Sequence, residues 1–153
     1  MRSEAEMLLV NFATSNVVRL AEKYTRHGAR YLEDAGQINQ REWRIIVWLE
    51  RIIEPTLDEL ASKIGTGPEL CMESVAGLIK RGLIVQLDDE DGDKRLSLTE
   101  AGDALFDKVY PVMEQRQRML VEDEDPDEMA LFMDMLHRLE AKVDATMQQS
   151  TNS

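Results

Sequence analysis

"TLDELASKIGTGPELCMESVAGLIKRGLIVQLDDEDGDKRLSLT", residues 56–99, decides the fold. Thr56, followed three residues later by Glu59, is a capping box that opens a short helix from Leu57 to Ile64. "GTGP", residues 65–68, is a tight turn that places Pro68 in the first turn of the next helix, where a missing N–H is tolerated. Cys71, Val75, Leu78 and Ile79 then fall at i, i+4, i+7 and i+8, which predicts the buried stripe of that helix; Ser74 and Ala76 point off it. Gly82 is placed to end the helix as a left-handed cap. Leu83–Leu87 and Lys94–Leu98 flank a turn at Gly92 and predict a two-stranded hairpin. Its tip packs Asp88, Asp89, Glu90, Asp91 and Asp93 ahead of one basic pair, Lys94 and Arg95.

Working outward, Leu9, Ala13, Val17, Leu20, Tyr24 and Tyr31 recur near helical spacing and predict a first long helix over residues 5–34, with Gly36 breaking the pattern. Asn39 and Glu42 form a cap pair for a second helix, Gln40 to about Ile53, which Pro55 ends. That helix is apolar on several sides (Trp43, Ile45, Ile46, Val47, Trp48, Leu49, Ile52), so it is expected to be sandwiched between other elements. Beyond the hairpin, Thr99 caps a long helix with Leu105, Val109, Val112, Met113 and Leu120 on one face. After the charged break at residues 121–128, Asp125 caps and Pro126 starts a last helix striped by Met129, Phe132, Met133, Leu136, Leu139, Val143 and Met147.

Short helix, turn, helix and hairpin make a winged helix-turn-helix. The expected fold is mainly α with a small β-hairpin wing, a winged helix-turn-helix plus a helical dimerisation layer. Residues 36–99 are read as the DNA-binding domain, and residues 1–35 and 100–150 as the layer. The outer stripes are too long for one small core, so a symmetric homodimer is the economical expectation, with a monomeric bundle as the other way to use them.

Composition bounds the function. Of 153 residues, 43% are hydrophobic and 31% charged, enough to fill a core and unlike a disordered chain. No apolar run approaches the roughly 18 residues of a membrane span, and "MRSEAEMLLVNF" has acids where a secretion signal needs positive charge. A lone cysteine excludes an internal disulfide framework, and a cytoplasmic location is expected. Net charge is −12, and residues 56–99 carry 5 basic against 9 acidic side chains. Such a balance repels nucleic acid at long range.

The residues nonetheless resemble the MarR-type bacterial transcriptional regulators. "INQREWRIIVWLE" looks like that family's second helix, "TLDELASKIG" like its first helix-turn-helix element, and "VAGLIKRGLIVQ" like its recognition helix entering the wing. "LSLTEAGDALFDKV" is similar to the wing exit and long dimerisation helix, with Leu98-Thr99-x-x-Gly102 its most specific part. The resemblance covers nearly the whole chain in order. It implies a homodimer on double-stranded operator DNA, recognition helices in major grooves and wings toward minor grooves. It further implies repression relieved by a small aromatic effector between the layers.

Departures bear on the site. Recognition-helix positions that usually hold a small polar residue and an arginine are Met72 and Glu73, and the often basic position one turn later is Gly77. The family's Asp-x-Arg wing pattern fits Asp93-Lys94-Arg95 if the hairpin is about two residues short; without that gap the arginine position falls on Asp91. The short wing is favoured, with Arg95 as the groove residue. The DNA-binding candidates are therefore Lys63, Met72, Glu73, Ser74, Ala76, Gly77, Lys80, Lys94 and Arg95, with Arg41, Arg44 and Arg51 able to add positive charge. Tyr31, Trp43 and Val47 are candidates to line an effector pocket, against their ordinary use as core.

Other chemistry is poorly supported. Cys71 sits on the core stripe and reads as an inert thiol. His27 and His137 have no ligand partner at metal spacing. "DDEDGD" fails as a calcium loop, because with Gly92 sixth the first and twelfth positions are Leu87 and Leu98. No catalytic constellation, cofactor or metal is expected. The competing reading is a degenerate winged-helix dimer that has lost DNA and binds a protein or small molecule, motivated by Glu73 and the acidic wing.

Overall fold

The computed structural model describes residues 4–151. Six helices and one hairpin follow in order: α1 (Glu4–Gly36), α2 (Gln40–Arg51), α3 (Leu57–Ile64), α4 (Pro68–Lys80), β1 (Ile84–Asp88), β2 (Lys94–Leu98), α5 (Glu100–Val121) and α6 (Pro126–Thr151). They form two compact units, Met1–Glu114 and Gln115–Ser153. The fold is mainly α with a small β wing, as expected. The side chains of Leu9 and Ala13, part of the predicted first stripe, lie outside the described residues.

Local signals place the helix ends of the first unit. At α2, Asn39 Oδ1 accepts from the Arg41 and Glu42 N–H groups at 2.9 and 3.0 Å, while Glu42 Oε2 accepts from the Asn39 N–H at 2.9 Å. At α3 the same reciprocal box joins Thr56 and Glu59, at 2.8 and 3.2 Å. Each box satisfies helix N–H groups that have no intrahelical partner. Gly65 (φ 66°) and Gly82 (φ 73°) take left-handed conformations at the ends of α3 and α4, where a side chain would be strained. After α4 the Gly82 N–H reaches the Ile79 carbonyl and the Leu83 N–H the Leu78 carbonyl, a doubly bonded helix stop.

Gly36 does more than break a pattern. The α1 helix continues through it, and Gln37 takes the left-handed turn at φ 51°. A Cβ on Gly36 would stand 2.7 Å from Val109 Cγ2 and 3.0 Å from Leu105 Cδ1, so glycine allows α1 to cross α5 closely.

The core of this unit gathers one face from every element: Leu32 and Ile38, Trp43, Ile45, Ile46 and Leu49 of α2, Leu60 and Ile64 of α3, Cys71, Val75 and Leu78 of α4, Ile84 and Leu96 of the wing, and Val109 and Met113 of α5. The sandwiched character of α2 follows, since α1, α3, α4 and β2 all pack on it. Two expectations for α4 are corrected. Ser74 is buried at 8% exposure and Ile79 is exposed at 36%, so the inward stripe is Cys71, Ser74, Val75 and Leu78. These positions lie at i, i+3, i+4 and i+7, and a small side chain at the second of them lets α4 lie close to its neighbours.

In the second unit, Asp125 Oδ1 accepts from the Asp127 and Glu128 N–H groups, and Pro126 occupies the first turn of α6, as expected. Leu131, Phe132, Met133, Met135, Leu139, Val143 and Met147 on that helix are exposed.

Candidate nucleic-acid interface

Helix α4 is held from behind by the residues of the Leu-Thr-x-x-Gly stretch. Thr99 Oγ1 donates to the Gly82 carbonyl at 2.6 Å and accepts from the Gly102 N–H at 3.1 Å, and the Thr99 N–H donates to the Leu83 carbonyl at 3.1 Å. One hydroxyl therefore caps α5 and grips the chain leaving α4. Gly102 is required for this approach, because a Cβ there would sit 2.2 Å from the Leu83 carbonyl oxygen. The specificity of the motif has a steric cause.

The opposite face of α4 is open. Met72 is 56% and Leu70 46% exposed, and Glu73, Ala76 and Lys80 are exposed, with Gly77 half-buried. Glu69, Met72, Glu73, Ala76 and Lys80 recur at three and four residues, so they form one outward stripe. The stripe is apolar and acidic through its first two turns and basic only at its end. Ser74, placed among the DNA-facing candidates by sequence, faces the core instead.

Beside α4 stands the wing, whose ladder pairs Ile84 with Leu98 and Asp88 with Lys94. Its acidic tip is organised by one carboxylate. Asp89 Oδ1 accepts from the Asp91 and Asp93 N–H groups at 3.0 and 2.8 Å, and the Gly92 N–H donates to the Asp89 carbonyl at 3.1 Å. Gly92 supplies the left-handed residue that this turn needs, φ 80°. The second oxygen, Asp89 Oδ2, takes Arg95 Nε at 2.9 Å. Arg95 also reaches Glu59 Oε2 on α3 at 3.4 Å. The wing tip is thus tied through Arg95 to the first helix of the helix-turn-helix.

These contacts hold the charges in place. Arg95, by its hydrogen bond, draws the Asp89 carboxyl below the usual carboxylate range, and backbone N–H groups reinforce the effect. The Thr56 N–H lowers the Glu59 carboxyl, with Arg95 adding to it. Arg95 itself is pushed up, chiefly by Asp89. Arg81 is likewise committed, 3.8 Å from Glu42 and 3.4 Å from the Gly36 carbonyl. Arg44 donates to the Ile64 carbonyl at 3.0 Å, and burial draws its guanidinium down.

Lys63, Lys80 and Lys94 are exposed, and among the described residues none of them is in an ion pair. Lys63 Nζ lies 5.8 Å over the Trp48 ring, a contact that leaves its charge available. Three lysines are therefore the uncommitted cations of the helix-turn-helix and wing.

The candidate effector residues are distributed over α1 and α2. Trp43 is buried and stacked on Phe106 at 5.8 Å and 19°; Val47 is half-buried; Tyr31 is 38% exposed and its ring lies 5.5 Å from His27. A hollow of about 440 Å³ opens along α1, lined by Ala21, Glu22, Thr25 and Arg26 and by none of these three. Cys71 is fully buried and burial pushes its thiol up, away from the reactive thiolate.

No protein-family model and no curated protein sequence matches the chain. Solved structures do. A MarR/EmrR family transcriptional regulator from Acinetobacter sp. ADP1 superposes with a TM-score of 0.83 at 22% identity, covering 90% of this chain and 98% of that one. The chain has the MarR-type winged-helix fold. The MepR–DNA complex of S. aureus shares it, with a TM-score of 0.77 at 17% identity over 87% of this chain and 98% of that one. NadR in complex with 4-hydroxyphenylacetate also matches, with a TM-score of 0.70 at 24% identity over 81% of this chain and 89% of that one.

Within the MarR-type fold, the DNA-binding candidates Lys63, Met72, Glu73, Ala76, Lys80 and Lys94 are exposed, Gly77 and Arg95 are half-buried, and Ser74 is buried, against expectation. Asp89 and Glu59, the partners of Arg95, were not expected from the sequence. The signal for Asp89 was available, since an aspartate two residues before a turn residue commonly bonds backbone N–H groups ahead of it. Glu59 gave no such signal, because its pairing joins residues 36 positions apart.

Proposed function

We propose that the chain is a DNA-binding transcriptional regulator that works as a homodimer on double-stranded operator DNA. One observation carries this reading: a complete helix-turn-helix and wing leave the outer face of α4 exposed and without a partner among the described residues, in a fold that the MepR–DNA complex shares. Residues 36–99 form the DNA-binding part, and residues 1–35 and 100–150 the dimerisation layer. The exposed apolar side chains of α6 support a second copy as the partner of that helix.

Phosphate contact falls to Lys63, Lys80 and Lys94, with Met72, Glu73, Ala76 and Gly77 presented toward base edges. Arg95 serves by fixing the wing against α3, which sets where Lys94 stands. Few cations on an acidic protein mean weak long-range steering and modest affinity. Repression, with release by a small aromatic effector, is the regulatory mode we infer; NadR, which holds 4-hydroxyphenylacetate, supports the effector class. Tyr31, Trp43 and Val47 are the candidate effector residues, and Trp43 has to leave Phe106 to contribute.

The test is fluorescence anisotropy with duplex DNA from immediately upstream of the protein's own gene, against an unrelated duplex of equal length. Specific binding by a dimer supports the reading. Equal binding of both duplexes abandons this operator, and absence of any binding across a random-sequence pool at low salt overturns the function.

A further inference from the structure

Which bases this face reads follows from what it lacks. In a helix-turn-helix the residues of the first part of the second helix contact base edges. On α4 those outward residues are Glu69, Leu70, Met72, Glu73 and Ala76. The major groove offers guanine as a double acceptor that arginine or lysine reads, and adenine as an acceptor–donor pair that asparagine or glutamine reads. No arginine, lysine, asparagine or glutamine occurs on α4 before Lys80, in its last turn. The Ser74 hydroxyl, otherwise able to serve any base, is turned into the core.

Two base features remain for this set of side chains. A carboxylate accepts only; the major-groove donors are the cytosine 4-amino and adenine 6-amino groups, and adenine sets its N7 acceptor beside the amino group, so cytosine is the complement with no opposing lone pair. Met72 and Ala76 offer methyl groups, whose complement is the thymine 5-methyl. Glu73 and Ala76 are separated by three residues, a rise of about 4.5 Å along the helix. Bases on one strand step by about 3.4 Å, so the two features lie within about two steps of each other.

We propose that α4 reads pyrimidines: Glu73 takes a cytosine amino group while Met72 and Ala76 pack on the methyl of a thymine within two steps of it. This rests on the DNA-binding reading above and adds the base class. Exposed Met72 and Leu70 then have a dry partner on binding, and the Glu73 charge meets a donor at the groove floor. The code runs through the pyrimidine strand, and the guanine opposite that cytosine is unread.

The experiment selects duplexes from a random-sequence pool with the full-length protein at low salt, then substitutes single bases in the enriched half-site. Replacing the thymine by deoxyuridine removes one methyl and is expected to weaken binding about three- to four-fold. A Met72→Ala variant is expected to lose most of that sensitivity. Replacing the opposite guanine by 7-deazaguanine, which lacks the N7 acceptor, is expected to change nothing. Glu73→Gln, an exposed substitution, is expected to shift preference at the cytosine position toward adenine by about ten-fold, while removal of the charge tightens binding to all sequences. Enriched sites that are indifferent to deoxyuridine and sensitive to 7-deazaguanine would overturn the pyrimidine code and leave DNA binding intact. Binding of the pool with no enrichment of any sequence would overturn the code and leave DNA binding intact. No binding of the pool at all would overturn DNA binding itself, and the code with it.

Discussion

The two faces of the helix-turn-helix are built in opposite ways. Behind α4, the residues of the wing and the start of α5 are spoken for: Thr99 bridges Gly82 and Gly102, and Arg95 bridges Asp89 and Glu59. In front, the outward stripe of α4 is exposed and has no partner among the described residues, and its one cation stands at the end. Abundant charge in this segment thus says little about what meets DNA, because the arginines are consumed by the scaffold and the lysines are left over.

The contrast breaks most severely at Gly102. Gly102→Ala places a methyl 2.2 Å from a backbone oxygen that cannot rotate away, so α5 or the wing exit has to shift. A loss of about 3 kcal/mol is expected in denaturant unfolding, from the cost of overpacking. Little change would mean that the close approach is not kept in solution. Thr99→Ala removes the cap of α5 and the grip on Gly82 together, and about 1–2 kcal/mol is expected by the same measurement. A Thr99→Ser variant, which keeps the hydroxyl, should recover most of it.

Why some of this was legible in the sequence, and some not, is a matter of range. The caps at Asn39, Thr56, Thr99 and Asp125 join residues two or three apart, so their letters alone reveal them. Ser74 and Ile79 were assigned to the wrong sides of α4 because hydropathy was followed at the edge of the stripe, where size decides which side chain fits inward. Gly36 looked like a helix breaker; its role depends on Val109 and Leu105, more than sixty residues away. The commitment of Arg95 to Glu59 is likewise tertiary and left no mark in the local pattern. The outward stripe was mostly legible, since it is what remains once the buried positions are known.

The smallest expected effect is at the wing tip. Asp89→Asn weakens the hold on Arg95, and hydrogen exchange should show faster exchange of the Asp91 and Asp93 amides with the rest of the first unit unchanged. Acid should do the same to the intact protein. The Asp89 and Glu59 carboxyls are held below their ordinary values of 3.8 and 4.5, so their contribution is in place above that range. It is lost as pH falls below it and both carboxylates take up protons, with no change expected between pH 6 and 8. Loss of wing protection near neutral pH would point to a different anchor.

The most direct test of the account is the salt dependence of DNA binding, compared between the wild-type protein and a Lys63→Ala, Lys80→Ala, Lys94→Ala variant. If these lysines are the cations left for phosphate, the slope of log K against log salt becomes shallower by about one for each lysine that contacts a phosphate, about three in all. An unchanged slope in the folded variant, or an equal change produced by Arg95→Ala alone, would contradict the division between scaffold arginines and DNA-facing lysines.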